Sequence, residues 1–198
     1  MNRRLFLLSA SLALPARAFA APPLGVVRDL AGEAYLSGHR LTRDTVLQPG
    51  QTIETGEDGQ VWFTVGEDAF LVRPRSQLRL DTSGAGAAVL DFLRLVSGGL
   101  AATFSRGPRR RLVTPTSTIG IRGTGVYLEA TPRWTYACTC FGATEVSPLE
   151  GRPVEVASRN HSARRIDRGG AIVTVPFERH TSEEIARLES LVGRPNPF

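Results

Sequence analysis

The chain has 198 residues, 41% hydrophobic and 22% charged, with a formal net charge of +5. That length fits one domain with a small appendage, and the balance of apolar to charged residues is that of a folded protein. The same composition, with only two cysteines and glycines that follow no period, excludes a collagen-like repeat, a coiled coil, a polytopic membrane protein and a dense disulfide scaffold.

Residues 1–20 read as an export signal. Arg3 and Arg4 precede an apolar run from Leu5 to Leu14, and Ala18-Phe19-Ala20 supplies a small-x-small end, placing cleavage between Ala20 and Ala21. The run is too short to span a hydrocarbon core of about 30 Å. The paired arginines before Leu5-Phe6-Leu7 are similar to a twin-arginine signal, and Arg17 suits that route; an ordinary secretory signal is the alternative. The expected compartment is therefore the periplasm or beyond, with no transmembrane span in the mature chain. Cleavage removes three arginines and no acid. The remaining 21 arginines face 19 acids, a net +2, which argues against nucleic acid as partner. The chain has no lysine, so every basic side chain apart from its three histidines is arginine.

Residues 21–176 read as an all-β body. Gln60–Val65, Ser76–Asp81, Val126–Ala130, Tyr136–Cys140 and Ile172–Val175 alternate with period two. Turn signals separate them at roughly ten-residue intervals, among them Gly66-Glu67-Asp68, Gly98-Gly99 and Gly107-Pro108. The expected class is mainly β, a solenoid-like or sandwich-like stack of short strands. The acids Asp58, Glu67 and Asp68 fall in turns, where solvation accounts for them.

Arg106, Arg109, Arg110 and Arg111 cluster beside the Gly107-Pro108 turn, with Arg164 and Arg165 later. Arginine forks suit carboxylates and phosphates, so this exposed tip is a candidate interaction patch. A solvated charged loop is the plainer reading. Thr114-Pro115-Thr116-Ser117-Thr118-Ile119-Gly120-Ile121-Arg122-Gly123-Thr124 follows. Pro115 holds Thr114 extended, while Gly120 and Gly123 indicate a bulge or close backbone approach around a partly buried Arg122. A folding role for this segment outweighs ligand contact.

Together with Leu47–Gly56, Gln60–Phe63 and Pro74–Leu80, this segment makes residues of about 46–130 resemble the FecR domain of bacterial periplasmic proteins. Residues 136–193 resemble small exported members of that family through Cys138-Thr139-Cys140-Phe141-Gly142, His161 and the terminal helix. The resemblance implies a β scaffold that senses or binds rather than catalyses, with an envelope protein or cell-wall component as partner. Family members that control sigma factors carry an anti-sigma segment and a membrane helix before this domain. Neither is expected here, so only the extracytoplasmic binding module carries over.

Cys138 and Cys140 lie two apart on a strand, so both sulfurs share one face. Three readings stand: buried core thiols, a disulfide at the limit of reach (Cα atoms about 6.5 Å apart), or a soft-metal or redox site with His161. Zinc and copper(I) suit such ligands, but two cysteines and three histidines (His39, His161, His180) do not spell a complete four-ligand site. No cofactor is otherwise expected. No nucleophile elbow, zincin motif, phosphate loop or dinucleotide motif occurs, so an enzyme is not expected. The chain ends in a predicted helix over residues 181–193: Thr181 and Glu184 form a capping box, Ile185, Leu188 and Leu191 make an apolar stripe, and Gly193 stops it.

Overall fold

The computed structural model describes residues 23–81, 92–107 and 110–198. The export segment 1–20, its cleavage point between Ala20 and Ala21, and Arg109 lie outside the described residues.

Among the described residues, sixteen strands and one helix are formed. The strands are β1 (Gly25–Ala31), β2 (Ala34–Leu36), β3 (His39–Arg40), β4 (Val46–Leu47), β5 (Thr52–Thr55), β6 (Gln60–Val65), β7 (Asp68–Val72) and β8 (Gln77–Asp81). There follow β9 (Phe92–Thr103), β10 (Arg110–Val113), β11 (Ser117–Ile121), β12 (Gly125–Ala130), β13 (Trp134–Pro148), β14 (Val154–Ser158), β15 (Ser162–Asp167) and β16 (Ile172–Val175). The helix α1 is Ser182–Leu191.

They make a two-sheet sandwich. The first sheet runs β4-β1-β6-β7-β9-β12-β13-β15-β16 and the second β3-β2-β5-β8-β9-β10-β11-β13-β14. The long strands β9 and β13 belong to both sheets, and each crosses at a glycine of positive φ. Gly98 (φ 81°) sits where β9 turns, and Gly142 (φ 83°) where β13 does. A Cβ at Gly98 would lie 2.2 Å from the Ser76 hydroxyl, so the corner admits no side chain. The Gly98-Gly99 pair, expected to separate two strands, instead bends one. Among the described residues every strand pair is antiparallel except β9–β10, which decides for the sandwich over the solenoid.

Period-two alternation sends one set of side chains between the sheets. Val61, Phe63 and Val65 of β6 meet Phe70 and Val72 of β7, with Ile53, Leu78, Leu80, Leu93, Leu112 and Ile119 opposite. Phe63 stacks on Phe70 at 4.7 Å, and Phe104 meets Phe70 edge-on. Each of these fully buried rings contributes about 2–3 kcal/mol by transfer from water. The other set of the first sheet, including Trp62, Leu71, Ala101, Tyr127, Tyr136 and Cys138, faces away from that core and is roofed by Ile185 and Leu188 of α1.

The helix is held at both ends as its sequence predicts. The Thr181 hydroxyl accepts from the Glu184 N–H at 3.3 Å, and the Glu184 carboxylate accepts from the Thr181 N–H at 3.1 Å. At the other end the Arg194 N–H reaches the Glu189 carbonyl and the Gly193 N–H the Ser190 carbonyl, a Schellman closure. Arg194 also clamps the buried Glu189 carboxylate through two bonds of 2.7 Å.

Candidate functional site

Three places in the fold correspond to the candidates read from the sequence. The Thr114–Thr124 segment forms the β10–β11 turn, β11 and the approach to β12. Its hydroxyls form a buried chain: Thr135 donates to Thr114 at 2.7 Å, Thr116 donates to Thr135 at 2.8 Å, and Thr114 donates to the Ser117 carbonyl at 3.1 Å. Thr124 is also buried and donates to the Phe141 carbonyl. These bonds tie the β10–β11 turn and the approach to β12 onto β13. Two details differ from expectation. Arg122 is half exposed and faces Glu145 and Glu155 at 3.7 and 3.5 Å, because the alternation that buries Ser117, Ile119 and Ile121 sends the next side chain outward. Gly120 lies mid-strand, where an added Cβ meets only ordinary contacts at 3.5 Å, whereas Gly123 has φ 63° and lies against Arg106. Gly120→Ala is therefore expected to shift stability by no more than about 0.5 kcal/mol. Gly123→Ala should cost about 1–2 kcal/mol, the left-handed penalty. Paired thermal melts check both.

The arginine cluster divides. Arg106 and Arg111 are exposed, but Arg110 turns inward: its guanidinium meets the Asp68 carboxylate at 2.5 Å and donates to the Ser105 hydroxyl at 3.2 Å. Arg110 is thus structural, and the expected patch loses its central member. Asp68 is correspondingly buried rather than solvated in a turn. Burial pushes its carboxyl up, against the opposing pull of the Ser105 N–H and of Arg110. Arg164 and Arg165 stand on β15, in the other sheet from β10.

The third place assembles more than its sequence promised. The β12–β13 register pairs Val126 with Thr139 and Gly125 with Phe141, leaving Cys140 as the extra residue of a bulge at the corner where β13 changes sheets. Cys138 and Cys140 are both buried free thiols that face the α1 side of the sheet. His161 arrives from the β14–β15 turn, its N–H bonded to the Cys140 carbonyl at 2.9 Å, and its Nδ1 lies 3.7 Å from Cys138 Sγ. His180, which sequence reading counted but did not place, arrives from just before the helix, its Nε2 3.3 Å from Cys140 Sγ. The Tyr136 hydroxyl ties down this approach by donating to the Pro176 carbonyl and accepting from the Glu178 N–H. Burial pushes the Tyr136 phenol up to about 12. All four ligand-type atoms lie within 4.8 Å of one another.

Aromatic rings close the cluster. Phe177 stacks on His161 at 3.9 Å, Phe198 stacks on its ring at 4.9 Å, and Tyr127 stacks on His180 at 4.4 Å. Cys138 is drawn below the ordinary thiol range, chiefly by its hydrogen bond with Cys140 and also by the two histidines, against the cost of burial. Cys140 is pushed up by burial and by its neighbour's charge. Two soft sulfur donors beside two imidazoles can hold a metal or share a proton. His180 lies 40 residues beyond Cys140, and no local spacing links them; its place against a helix N-cap was the only hint.

No helix among the described residues is long and apolar enough to cross a membrane. No protein-family model matches the sequence, and no curated protein matches it. The fold is similar to two crystal structures, at 1.65 and 2.50 Å, of a candidate anti-sigma factor from Parabacteroides distasonis ATCC 8503. Both overlay 64% of this chain, with TM-scores of 0.54 and 0.53 at 11% and 12% identity. This chain spans 60% of the length of those chains, so the likeness is one of fold over part of each molecule.

Proposed function

We propose that the protein is an exported, non-enzymatic scaffold of the FecR type that binds another envelope macromolecule, an envelope protein or cell-wall component, in extracytoplasmic sensing. Three features support this. The N-terminal segment has the form of an export signal, the Leu47–Thr124 motifs resemble the FecR domain, and the fold is similar to a chain named for sigma-factor regulation.

The observation that carries the reading is the edge at β16. This strand, Ile-Val-Thr-Val, ends the first sheet, pairs only with β15 among the described residues and bears no charge. Val173 on it is 51% exposed, and Phe177 beyond it is 46% exposed. An uncharged edge invites pairing with another strand, and proteins that stay single guard such edges with charge. The strand β14, which ends the second sheet, carries Glu155 and is so guarded. Strand addition at β16 would supply main-chain bonds for affinity and Val173 for selectivity.

A photocrosslinking amino acid at position 174, used in intact cells, is expected to trap one predominant macromolecule. Val173→Lys should lose that crosslink while leaving the melting temperature within a degree or two, because surface changes of this kind shift stability little. Absence of a discrete crosslinked species, or a yield untouched by Val173→Lys, overturns strand addition at this edge.

A further inference from the structure

We propose that Cys138, Cys140, His161 and His180 bind one zinc(II) ion in a tetrahedral site that fastens the start of α1 and the β14–β15 turn onto the bulge of β13. This stands independently of the partner-binding reading above.

Geometry comes first. Zinc bonds of about 2.3 Å to sulfur and about 2.0 Å to nitrogen set tetrahedral ligand separations of about 3.3–3.8 Å. The Cys140–His180 and Cys138–His161 separations, 3.3 and 3.7 Å, already match. The widest separation in the set, up to 4.8 Å, closes with about 1 Å of side-chain rotation. Each histidine is also oriented from behind. His180 Nδ1 donates to the Glu178 carbonyl at 3.0 Å, which leaves the Nε2 lone pair facing Cys140. His161 Nε2 lies 3.0 Å from the Ser182 hydroxyl, with Nδ1 facing Cys138. An oxygen partner on the second ring nitrogen is the usual support of a metal-bound imidazole.

The backbone around the site is committed as well. His161 has φ 49°, and Arg179, next to His180, has φ 77°. Both are non-glycine residues in the left-handed region, conformations that persist only where the surroundings enforce them and that gather at functional sites.

Charge selects the metal. Both cysteines bind as thiolates, so their two negative charges balance Zn²⁺ and the centre is neutral. Copper(I) on the same four ligands would leave one uncompensated negative charge among buried groups, since Cys138, Cys140 and His180 are all buried. A tetrahedral set of two sulfurs and two imidazoles is also zinc's ordinary structural environment.

The full exported chain, purified under reducing conditions without chelator, is expected to hold one zinc per molecule by native mass spectrometry. Zinc added to stripped protein should raise Tm. Cobalt(II) in its place should give the visible bands of a tetrahedral ion together with a thiolate charge-transfer band. Cys140→Ser and His180→Gln should each lose affinity about 100-fold or more and alter or lose the cobalt spectrum. His39→Gln, on exposed β3, should change nothing. Ser182→Ala keeps all four ligands and removes one supporting hydroxyl, so affinity should fall about tenfold with the cobalt spectrum kept. This last variant separates loss of ligation from loss of fold. Folded protein with free thiols that takes up no zinc overturns the site. So does a Cys138–Cys140 disulfide in the protein as isolated from the envelope, retention of copper(I) to the exclusion of zinc, or unchanged binding by His180→Gln.

Discussion

Replacing Arg110 with Ala is expected to destabilise the protein by roughly 3–5 kcal/mol, while Arg111→Ser, one residue on, stays within about 0.5 kcal/mol. The side chains of Arg110 and Asp68 are only 10% and 3% exposed, and they meet at 2.5 Å. Removing one partner strands the other charge away from water, which costs far more than the pair itself contributes. Arg110 also lies 5.9 Å from the centre of the Phe104 ring, so its removal loosens that end of the core. Asp68→Leu combined with Arg110→Met should recover part of the loss. It restores apolar packing but leaves the Ser105 N–H, which now donates to Asp68 at 2.9 Å, without its acceptor.

The pH dependence has a definite sign. Burial raises the Asp68 carboxyl above its unfolded value, so the folded chain binds this proton more tightly than the unfolded chain. The cost of holding the charge is complete above the folded pKa and fades as the pH falls through it. Loss of Arg110 lifts that pKa further, so the gap between the parent and Arg110→Ala should narrow on acidification. Urea melts at several pH values check both points. A variant as stable as the parent at neutral pH refutes the role given to the pair.

Arg110 also marks where sequence reading stops. Strand positions were legible because alternation is written in neighbouring residues: Val61, Phe63 and Val65 announce their face without reference to any other strand. The helix was legible for the same reason, since Thr181, Glu184 and Gly193 are local signals. What links distant positions was not. Arg110 and Asp68 are 42 residues apart, and they meet at Ser105, which the pairing of β7 with β9 sets beside Asp68. In a run of arginines beside a turn, nothing local says which one points inward. The same limit hid His180. Cys138 and Cys140 declared a shared face by their spacing, but the fourth ligand-type group depends on how residues 176–181 cross the sheet under the hold of Tyr136. Gly98 misled for a related reason: a glycine of positive φ reads as a chain reversal, yet here it bends a continuous strand from one sheet into the other.

Leu188→Asp is expected to release α1 from the sheet, with the β sandwich beneath left folded. A ten-residue helix is marginal in water, because nucleation costs more than so few turns return. Docking therefore rests on Ile185 and Leu188, both fully buried against Trp62, Leu71 and Tyr127. Truncating one such leucine to Ala costs about 2–5 kcal/mol, and a buried unpaired carboxylate costs more. The polar ties, Arg187 with Asp29 at 2.6 Å and Arg73 with Glu184, are partly exposed and contribute little each. A loss of about 3 kcal/mol lowers the docked-to-free ratio more than 100-fold, so proteolysis within residues 177–193 should accelerate by a similar factor. Dye binding to the uncovered face should rise, while the Phe63–Phe70 core, on the other side of the sheet, keeps its cooperative melt. Leu188→Ala should give an intermediate rate. If zinc bridges β13 to His180, refilling the site should slow cleavage of the Leu188→Ala protein but not of its His180→Gln derivative. That difference would show that the helix and the metal ligands hold one and the same segment against the sheet. Equal cleavage of parent and Leu188→Asp would mean that α1 is held by something other than its apolar stripe.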